Sequence, residues 1–493
     1  MDVMRVGGLA SGMDIEEMVN KLMEAERMPL TRLQQQQTSL TWKRDAFRSV
    51  NSKLLELDKI MLDMKLTKTY KPKSVASSQD GAVTATADAN AANGSYNIDV
   101  TQLAKNEMLI SHDGFNKDDV TFEEDAEYVF RTYNDDGTEE EHVLKVNAGD
   151  HLEDVLKNIG KASGGRVRAF YDDSSGRVVM ETTRTGIYHP SENNTADDQL
   201  PEIDFDEDNA LFNDIFGMKV ESQAANAQFT YNGGLELASK TNSYSINGIH
   251  FEFNNRTEGN ARLTVSTNVD DAFENITNFV EKYNETIDAM NQSQTEEKYR
   301  EYKPLTTEQK AEMSEKEIEQ WEEKAKSGIL RGESSIRDGM FSLRQSMQSF
   351  VETDGEYNLL SQIGITTTKN YLDGGKLEVD EDKLKAALRE HPDDVYTLFS
   401  NGEEGNSRGL IHRFDDSLDQ LRGRIERKAG NSTNTLENYS IGKQMKNLNE
   451  RITVFERRME TVEERYWSQF TQMEKAISQL NQQSDFLFSQ FNG

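Results

Sequence analysis

Hydrophobic residues recur every seven positions near both ends of the chain. The N-terminal series has two stripes, formed by Leu33, Leu40, Phe47, Leu54 and Met61 and by Val50, Leu57 and Met64. The C-terminal series also has two stripes, formed by Met445, Ile452, Met459, Tyr466, Met473, Leu480 and Leu487 and by Ile441, Leu448, Phe455 and Val462. Two apolar stripes with a period of 3.5 residues predict helices with a narrow seam that only a facing helix covers.

The C-terminal pattern weakens along its length. Beyond Val462 the second stripe continues as Gln469, Ala476 and Gln483, so we expect this end of the helix to be marginally stable alone. A helix over 441–487 would be on the order of 70 Å long, at about 1.5 Å per residue. This length and the terminal positions favour exposed legs that bury their seam against partner molecules. Ordinary core helices are the alternative interpretation.

The N-terminal segment 7–12 has the two end glycines of a phosphate-binding loop. The two residues that follow are not the Lys and Ser or Thr that such a loop requires, and no strand precedes it, which argues against nucleotide binding. Asp14 and Glu17 instead have the spacing of a capping box, which predicts a helix beginning at Ile15. We expect Pro29 to bend or restart this helix, because proline lacks an amide hydrogen.

Between the helical ends, alternating hydrophobic residues predict short strands. Residues 96–100 alternate as a half-buried strand does. Hairpins are predicted around turns at 134–137 and 172–176, with a short helix over 152–159 between them. The pair Asn247-Gly248, flanked by hydrophobic residues, predicts a further tight hairpin.

Helical spacing returns after residue 270. Hydrophobic stripes with 3-4 spacing lie within 273–290, 336–350 and 410–425. Helices at both ends with strands between them predict an α+β multidomain fold, in which long antiparallel terminal helices form a stem and β-rich domains are inserted in the middle of the chain. The predicted domains are terminal coiled-coil legs over 1–40 and 441–493, partly disordered in the free chain, a helical stem over 41–72 and 270–440, a β-rich plate over 73–110 and 226–269, and an outer α+β insertion over 111–225.

Acidic residues dominate the charge of the chain, whose formal net charge is −32 over 493 residues. The predicted outer insertion alone holds 28 acidic and 10 basic residues, as an exposed surface would. This balance argues against nucleic acid and anionic membranes as partners, and no apolar run approaches the ~18–20 residues of a membrane span. The N-terminus lacks the apolar core of a signal peptide, which fits either a cytoplasmic protein or export without a cleaved signal.

Residues that would carry chemistry are absent or scattered. The chain has no cysteine, which excludes disulfides and Cys-ligated zinc, and its seven histidines lack metal-binding spacing. Asp204, Asp206 and Asp208 begin like a calcium loop, but Asn209 and Ile215 replace its required Gly and Glu, which leaves a weak, incidental cation site as the alternative. A glycosidase-type pair of acids is a further alternative, because such acids need not be close in sequence. We therefore predict that the protein is not an enzyme and holds no cofactor or metal.

Short motifs carry a resemblance to a known family. The opening, with Gly8, Leu9, Ala10, Ser11, Gly12 and Asp14, resembles the Gly-Leu-Ala-Ser-Gly opening of the bacterial flagellar filament-capping family, also called hook-associated protein 2. Further stretches are similar to the same family in the same order, at 25–30, 42–45, 94–104, 279–284, 302–305 and 321–328. The resemblance covers the terminal helices and much of the inner domain, and it thins out between about 111 and 225.

The resemblance implies a homo-oligomeric cap, a ring of five or six copies, at the extracellular tip of a flagellar filament. Arriving flagellin subunits would fold beneath a plate of β-rich domains while helical legs reach onto the filament. Implied partners are flagellin, hook–filament junction proteins, a cytoplasmic export chaperone and the flagellar type III export apparatus. The residues that we expect at the leg and assembly interface are Leu33, Leu40, Phe47, Leu54, Met459, Tyr466, Met473, Leu480 and Leu487.

Two alternative functions remain open. Flagellin and hook–filament junction proteins also carry apolar terminal helices and acidic outer insertions, and a null strain that spills flagellin monomers into the medium would distinguish a cap from them. A surface adhesin would bind host glycans through residues 111–225, which a glycan array tests, and this activity is compatible with capping.

Overall fold

The computed structural model describes residues 14–190 and 200–491. The chain divides into two compact units, of which the first combines Met1–Tyr70 with Ala272–Gly493 and the second consists of Lys71–Asp271. The first unit, called the helical unit below, is therefore assembled from the two ends of the chain. The second, called the β unit, contains strands from the middle of the chain. The predicted α+β multidomain class is confirmed.

Helices make up most of the helical unit. In the described residues the α-helices are α1 (Ile15–Met64), α2 (Thr67–Tyr70), α3 (Leu152–Ala162), which lies in the β unit, α4 (Val269–Thr295), α5 (Thr307–Ala311), α6 (Glu315–Lys326), α7 (Ser334–Gln348), α8 (Glu381–Glu390), α9 (Pro392–Ser400), α10 (Leu410–Ala429) and α11 (Ser440–Phe491).

Strands make up most of the β unit. In chain order they are β1 (Lys73–Ser77), β2 (Val83–Ala87), β3 (Gly94–Gln102), β4 (Met108–Ser111), β5 (Ala126–Tyr133), β6 (Glu139–Val146), β7 (Val167–Asp172), β8 (Arg177–Thr182), β9 (Met218–Ser222), β10 (Ala227–Tyr231), β11 (Leu235–Ser239), β12 (Ser243–Ile246), β13 (Ile249–Phe253) and β14 (Ala261–Thr267), with β15 (Ile365–Thr367) and β16 (Leu377–Val379) pairing inside the helical unit.

The core of the helical unit lies where α10 packs against both α1 and α7. Ion pairs from Arg422 to Asp58, at 2.9 Å, and from Lys65 to Asp415, at 2.5 Å, show that α1 and α10 run antiparallel. The ring of Phe414 on α10 meets Phe279 of α4 edge to face, with 6.0 Å between the ring centroids. The second half of α1 therefore packs against α10, and the side chains of its apolar stripe, such as Leu54 and Met61, are fully buried.

Strands of the β unit form antiparallel sheets around two hydrophobic cores. The first core lies between a five-stranded sheet of order β1-β14-β3-β10-β11 and a three-stranded sheet of order β12-β13-β2, and it contains Ile98, Phe229 and Phe251. The predicted hairpin turn between β12 and β13 is confirmed. Asn247 and Gly248 have φ values of 52° and 75°, as a tight turn with two left-handed residues requires.

The second core of the β unit belongs to the segment between β3 and β10. A four-stranded sheet of order β7-β8-β4-β9, the separate hairpin β5–β6 and helix α3 enclose it, and it contains Phe130, Leu156 and Phe212. Both predicted hairpins form, with Gly137 at φ 81° in the turn of β5–β6 and Gly176 at φ 68° in that of β7–β8. They share this core although they belong to different sheets.

Helix α1 continues through Pro29, so the helix does not restart there, and a bend at this residue stays a prediction. The same helix crosses position 40, which means that no break in the backbone separates the predicted leg from the predicted stem. Within 14–190 and 200–491, no helix has the length and apolar character needed to cross a membrane.

Candidate assembly surface

The two long terminal helices α1 and α11 pack against each other in antiparallel orientation. Tyr466 donates a hydrogen bond from its hydroxyl to the carboxylate of Glu26, with 3.2 Å between the oxygens, and Gln37 donates from its side-chain amide to Asn449 over 2.6 Å. Positions in α11 thus fall as positions in α1 rise. The seam predicted from the two heptad series is therefore formed, at least in part, within a single chain.

Helix α1 begins where Asp14 caps it. The Oδ1 atom of Asp14 accepts a hydrogen bond from the backbone N–H of Glu17 over 2.9 Å, as the capping box predicts. The reciprocal half of the box is missing among the described contacts, because the Glu17 carboxylate binds Lys21 at 2.5 Å instead. The other residues of the opening motif, Gly8, Leu9, Ala10, Ser11 and Gly12, lie outside the described residues.

A small apolar cluster packs the first turns of α1 against the middle of α11. Its buried members are Ile15, Val19, Met23, Met459 and Val462, with Phe455, Tyr466, Trp467 and Phe470 packed partly buried around them. Burying one such aliphatic side chain completely contributes about 1.5–3 kcal/mol. Five buried side chains therefore stabilise the contact between the two helices, although this cluster has far fewer members than the core of the helical unit.

Burial along α11 falls steeply towards the C-terminus. The side chains of Ile441, Leu448 and Val462 are 3%, 5% and 7% exposed, whereas those of Leu480 and Leu487 are 62% and 53% exposed. Met473, between these groups, is half-buried. The part of α11 after Phe470, residues 471–491, is called the tail below. It continues the heptad pattern, and Leu480, Phe486, Leu487 and Phe488 within it are exposed to solvent.

The predicted interface residues fall into three environments. Phe47 and Leu54 are fully buried by other helices of the helical unit, and the assembly role predicted for these two residues is therefore wrong. Met459 is buried and Tyr466 half-buried in the intramolecular seam, where Leu33 and Leu40 are also half-buried. Met473, Leu480 and Leu487 of the tail remain predicted contacts to another molecule.

An ion-pair network fixes the middle of α1. The carboxylate of Glu333 binds the ammonium groups of Lys43 on α1 and Lys428 on α10. Burial opposes the ionisation of Glu333, but the hydrogen bonds from the two lysines outweigh it, and the pKa of this carboxyl lies below its usual value. Arg48 donates to the carbonyl of Ala429 over 3.1 Å, which satisfies the C-terminal end of α10. These contacts hold the buried half of α1 in place.

The acidic triplet of the β unit does not resemble a cation site. Asp206 accepts two hydrogen bonds from the guanidinium group of Arg131, at 2.9 and 3.1 Å, so its carboxylate is already neutralised. Among the described residues, no group of three or more His, Asp or Glu side chains has the arrangement to hold a metal ion.

Two buried carboxylates escaped prediction. Glu107 and Glu202 are fully or almost fully buried in the β unit. The Oε1 atom of Glu107 accepts from the backbone N–H groups of Glu202 and Ile203, both at 2.9 Å, and Glu202 accepts from those of Tyr188 and His189. Burial raises the pKa of Glu107 to about 7 and also raises that of Glu202. Nothing in the sequence pattern distinguishes these two acids from their exposed neighbours.

Two family profiles match the chain. A profile described as the flagellar hook-associated protein 2 C-terminus matches residues 224–482, and one described as the N-terminus of the same protein matches residues 11–107. Residues 108–223 lie outside both matched ranges, and they coincide closely with the insertion in which the resemblance thins out.

Similar proteins cover nearly the whole chain, and a similar structure covers most of it. A flagellar hook-associated protein 2 from Halalkalibacterium halodurans is 34% identical, covering 97% of this chain and 98% of the relative. Proteins of the same name from Thermotoga maritima and Escherichia coli K12 are 24% and 26% identical, covering 99% and 98% of this chain and 96% and 97% of their own lengths. The fold resembles the crystal structure of domains D1-D2-D3 of the flagellar cap protein FliD from Escherichia coli, with a TM-score of 0.56 and 22% identity over 79% of this chain and 97% of that one.

Proposed function

The chain belongs to the flagellar hook-associated protein 2 family, and from this premise we propose that it caps the distal tip of a bacterial flagellar filament. In this role it retains exported flagellin subunits at the growing end, promotes their folding and addition, and prevents their loss to the medium. Membership of this family argues against the two alternatives of flagellin and hook–filament junction protein.

One observation carries the proposal, namely the unequal burial along the heptad series of α11. The series is buried against α1 up to Val462 and is exposed at Leu480 and Leu487. A helix with an exposed apolar stripe gains stability from a facing helix, which for a cap would come from the filament end. The stripe is short, so each contact is weak enough to break when the cap moves to the next subunit.

The proposed architecture assigns a role to each part of the chain. Residues 1–40 and 441–493 act as legs on the filament, 41–72 and 270–440 as the stem, 73–110 and 226–269 as the plate, and 111–225 as the outer insertion. Five or six copies form a ring. In such a ring each copy contacts its two neighbours through two different surfaces, and these contacts must close around an axis. The partners are flagellin, the junction proteins and, before secretion, a cytoplasmic chaperone and the flagellar type III export apparatus.

The tail contact is tested by adding charge to its apolar stripe. We expect the double variant M473D/L480D to fold as the wild type does, because both side chains lie outside the core of the helical unit. Filament growth should stop, with flagellin monomers released into the medium, because an aspartate in a helix–helix seam loses its hydration without gaining a partner. Electron microscopy of the cells and immunoblotting of the medium measure both effects.

The matched control is Q472D/Q479D, which adds the same charge to exposed polar positions of the same turns. Filaments of normal length are expected from the control strain. Filaments of normal length from M473D/L480D as well would show that the tail stripe makes no contact that growth requires.

Adhesion by the outer insertion remains a prediction. The experiment is a glycan array probed with the full-length protein and with a variant in which residues 111–225 are replaced by a short linker. Binding that is lost with the insertion would support adhesion in addition to capping.

A further inference from the structure

A positively charged groove lies beside the α1–α11 seam. It has a volume of about 840 Å³ and runs between the two helices and the segment Lys303–Pro304. Four basic side chains line it, from Arg32, Lys303, Lys443 and Arg451, and no acidic side chain does. The chain as a whole has a net charge of −32, so this groove has the opposite sign to the protein around it.

The four cations of this groove, called the basic groove below, lack ionic partners. Within the part of the chain that the structure describes, none of them forms an ion pair. Neighbouring cations do pair, as Arg27 does with Glu463 at 3.4 Å and Lys446 with Glu437 at 2.7 Å. Acids are thus available nearby, yet none of them faces the basic groove.

The floor of the basic groove is apolar. Leu448 and Pro304 are buried there, and Leu40 is half-buried. The four cations around this floor repel one another, and an anionic partner would remove that repulsion. An occupant that suits both the rim and the floor is an amphipathic segment with carboxylates around a central aliphatic residue.

The same chain presents such a segment on α6. Glu315, Ile318, Glu319, Glu322 and Glu323 share one face of this helix with Lys326 at its end, because they follow 3-4 spacing. Glu322 is held by Lys310 and Lys326, at 2.5 and 3.0 Å. In the described structure the carboxylates of the other three glutamates form no ion pair.

The helix that carries this acidic face is anchored by hydrogen bonds at two points. A complete capping box between Ser314 and Glu317 fixes its first turn. Trp321, on a different side of the helix, donates from its indole N–H to the carbonyl of Lys303 over 2.8 Å. The anchor of α6 is therefore hydrogen-bonded to the lip of the basic groove, while the carboxylates of Glu315, Glu319 and Glu323 form no ion pair in the described structure.

We propose that the basic groove of one copy receives the acidic face of α6 from a neighbouring copy. The proposal rests on the homo-oligomer proposed above. Chains that each carry −32 repel one another at long range, and local contacts of opposite sign offset this repulsion. The groove and the helix face are different surfaces, and their contact is therefore of the head-to-tail kind, which forms a ring when the rotation between neighbouring copies closes.

Because the chain has no native cysteine, single-cysteine variants test this contact cleanly. One population carries Q444C at the edge of the basic groove, and a second population with a different tag carries E319C on α6. We expect a short bismaleimide reagent to join the two tags in the mixed oligomer. Since each chain has one cysteine, any such product arises between copies.

Charge reversal then identifies the contact. K443E/R451E in the Q444C chain should reduce the yield of the mixed product at least tenfold, and E315K/E323K in the E319C chain should restore it. The matched control K59E/K369E reverses two exposed lysines elsewhere on the helical unit and should leave the yield unchanged. Salt at about 0.5 M, which screens exposed charges beyond a few ångströms, should lower the yield of the unmodified pair.

Each other outcome overturns the contact. A ring that forms without the mixed product, or a product indifferent to charge reversal, would remove the basic groove from the ring interface and leave the capping function standing. Cross-linking of Q444C to added flagellin in place of α6 would assign the groove to flagellin. Failure of the wild-type chain to form any oligomer would overturn both this contact and the ring in the proposed function.

Discussion

Leu54 of α1 and Leu480 of α11 occupy equivalent positions in their heptad series, yet Leu54 is fully buried and Leu480 is 62% exposed. Around Leu54, helix α10 covers the seam, and ion pairs from Asp58 and Lys65 hold it in place. At Leu480 the helix continues with the same spacing and its apolar side chains lie in solvent. The difference shows that a heptad pattern encodes a helix with an apolar seam. Which helix covers that seam depends on other parts of the chain or on a partner molecule.

Truncating each of the two leucines to alanine tests this comparison with the largest expected effect. Leu54→Ala should lower the free energy of unfolding of the helical unit by about 2–5 kcal/mol, because it leaves a cavity in a packed core. Leu480→Ala should change it by less than about 0.5 kcal/mol, as an exposed substitution does. Denaturant titrations of the two purified variants measure both values, and equal losses would contradict the assigned environments.

In the β unit, burial of a carboxyl group is expected to make stability depend on pH, and Glu107 is the group concerned. Its pKa is about 7 in the fold and near 4.5 when unfolded, so the contribution of its protonated form is complete below pH 4.5 and is lost as the pH rises through 7. The loss is on the order of 3 kcal/mol, from about 1.36 kcal/mol per pKa unit. Thermal unfolding of the β unit from pH 5 to pH 8 should show this slope, and E107Q should flatten it. An unchanged slope in E107Q would assign the pH dependence to another group.

Glu333 should respond to pH in the opposite direction. Because its pKa is lowered in the fold, its contribution is present above the ordinary carboxyl value of 4.5 and is lost as the pH falls below it. Removing its charge by Glu333→Gln should lower the free energy of unfolding at pH 7 by about 1–3 kcal/mol, as expected for hydrogen bonds to charged groups. Denaturant titration of the helical unit is the measurement, and Glu437→Gln, which removes an exposed ion pair, is the matched control.

A smaller effect than that of Glu333→Gln is expected at the capped end of α1. Asp14→Ala removes the acceptor for the N–H of Glu17 and should cost about 1 kcal/mol, while Asp14→Asn keeps an acceptor and should cost less. The change should appear as faster amide exchange in the first turns of α1 and in the facing cluster at Met459, with the buried half of α1 unaffected. Faster exchange around Leu54 would mean that the two ends of α1 are not independent.

Local features of the fold were predictable from the sequence for a physical reason. Asn247-Gly248 forms its turn because two adjacent residues tolerate positive φ, and the capping position of Asp14 follows from three residues of spacing. Such features depend on neighbours in the chain alone. The long helices were predictable on the same grounds, including the weakening of the stripe beyond Val462.

Features that depend on distant residues were not predictable. Phe47 and Leu54 seemed available for assembly because their stripe says nothing about α10, which begins more than 350 positions later. The basic groove combines Arg32, Lys303 and Arg451 from three separate parts of the chain, and no spacing rule connects them. The buried state of Glu107 likewise depends on backbone N–H groups near residue 202.

Amide hydrogen exchange along α11 tests the central claim most directly. In the purified protein, residues 440–462 should be strongly protected and residues 471–491 should exchange rapidly, because exposed helical segments open locally at little cost. Adding short filaments that lack their caps should protect the 471–491 stretch and leave 440–462 as it was. Uniform protection of α11 in the isolated protein, or a tail that remains unprotected on the filament, would contradict the account.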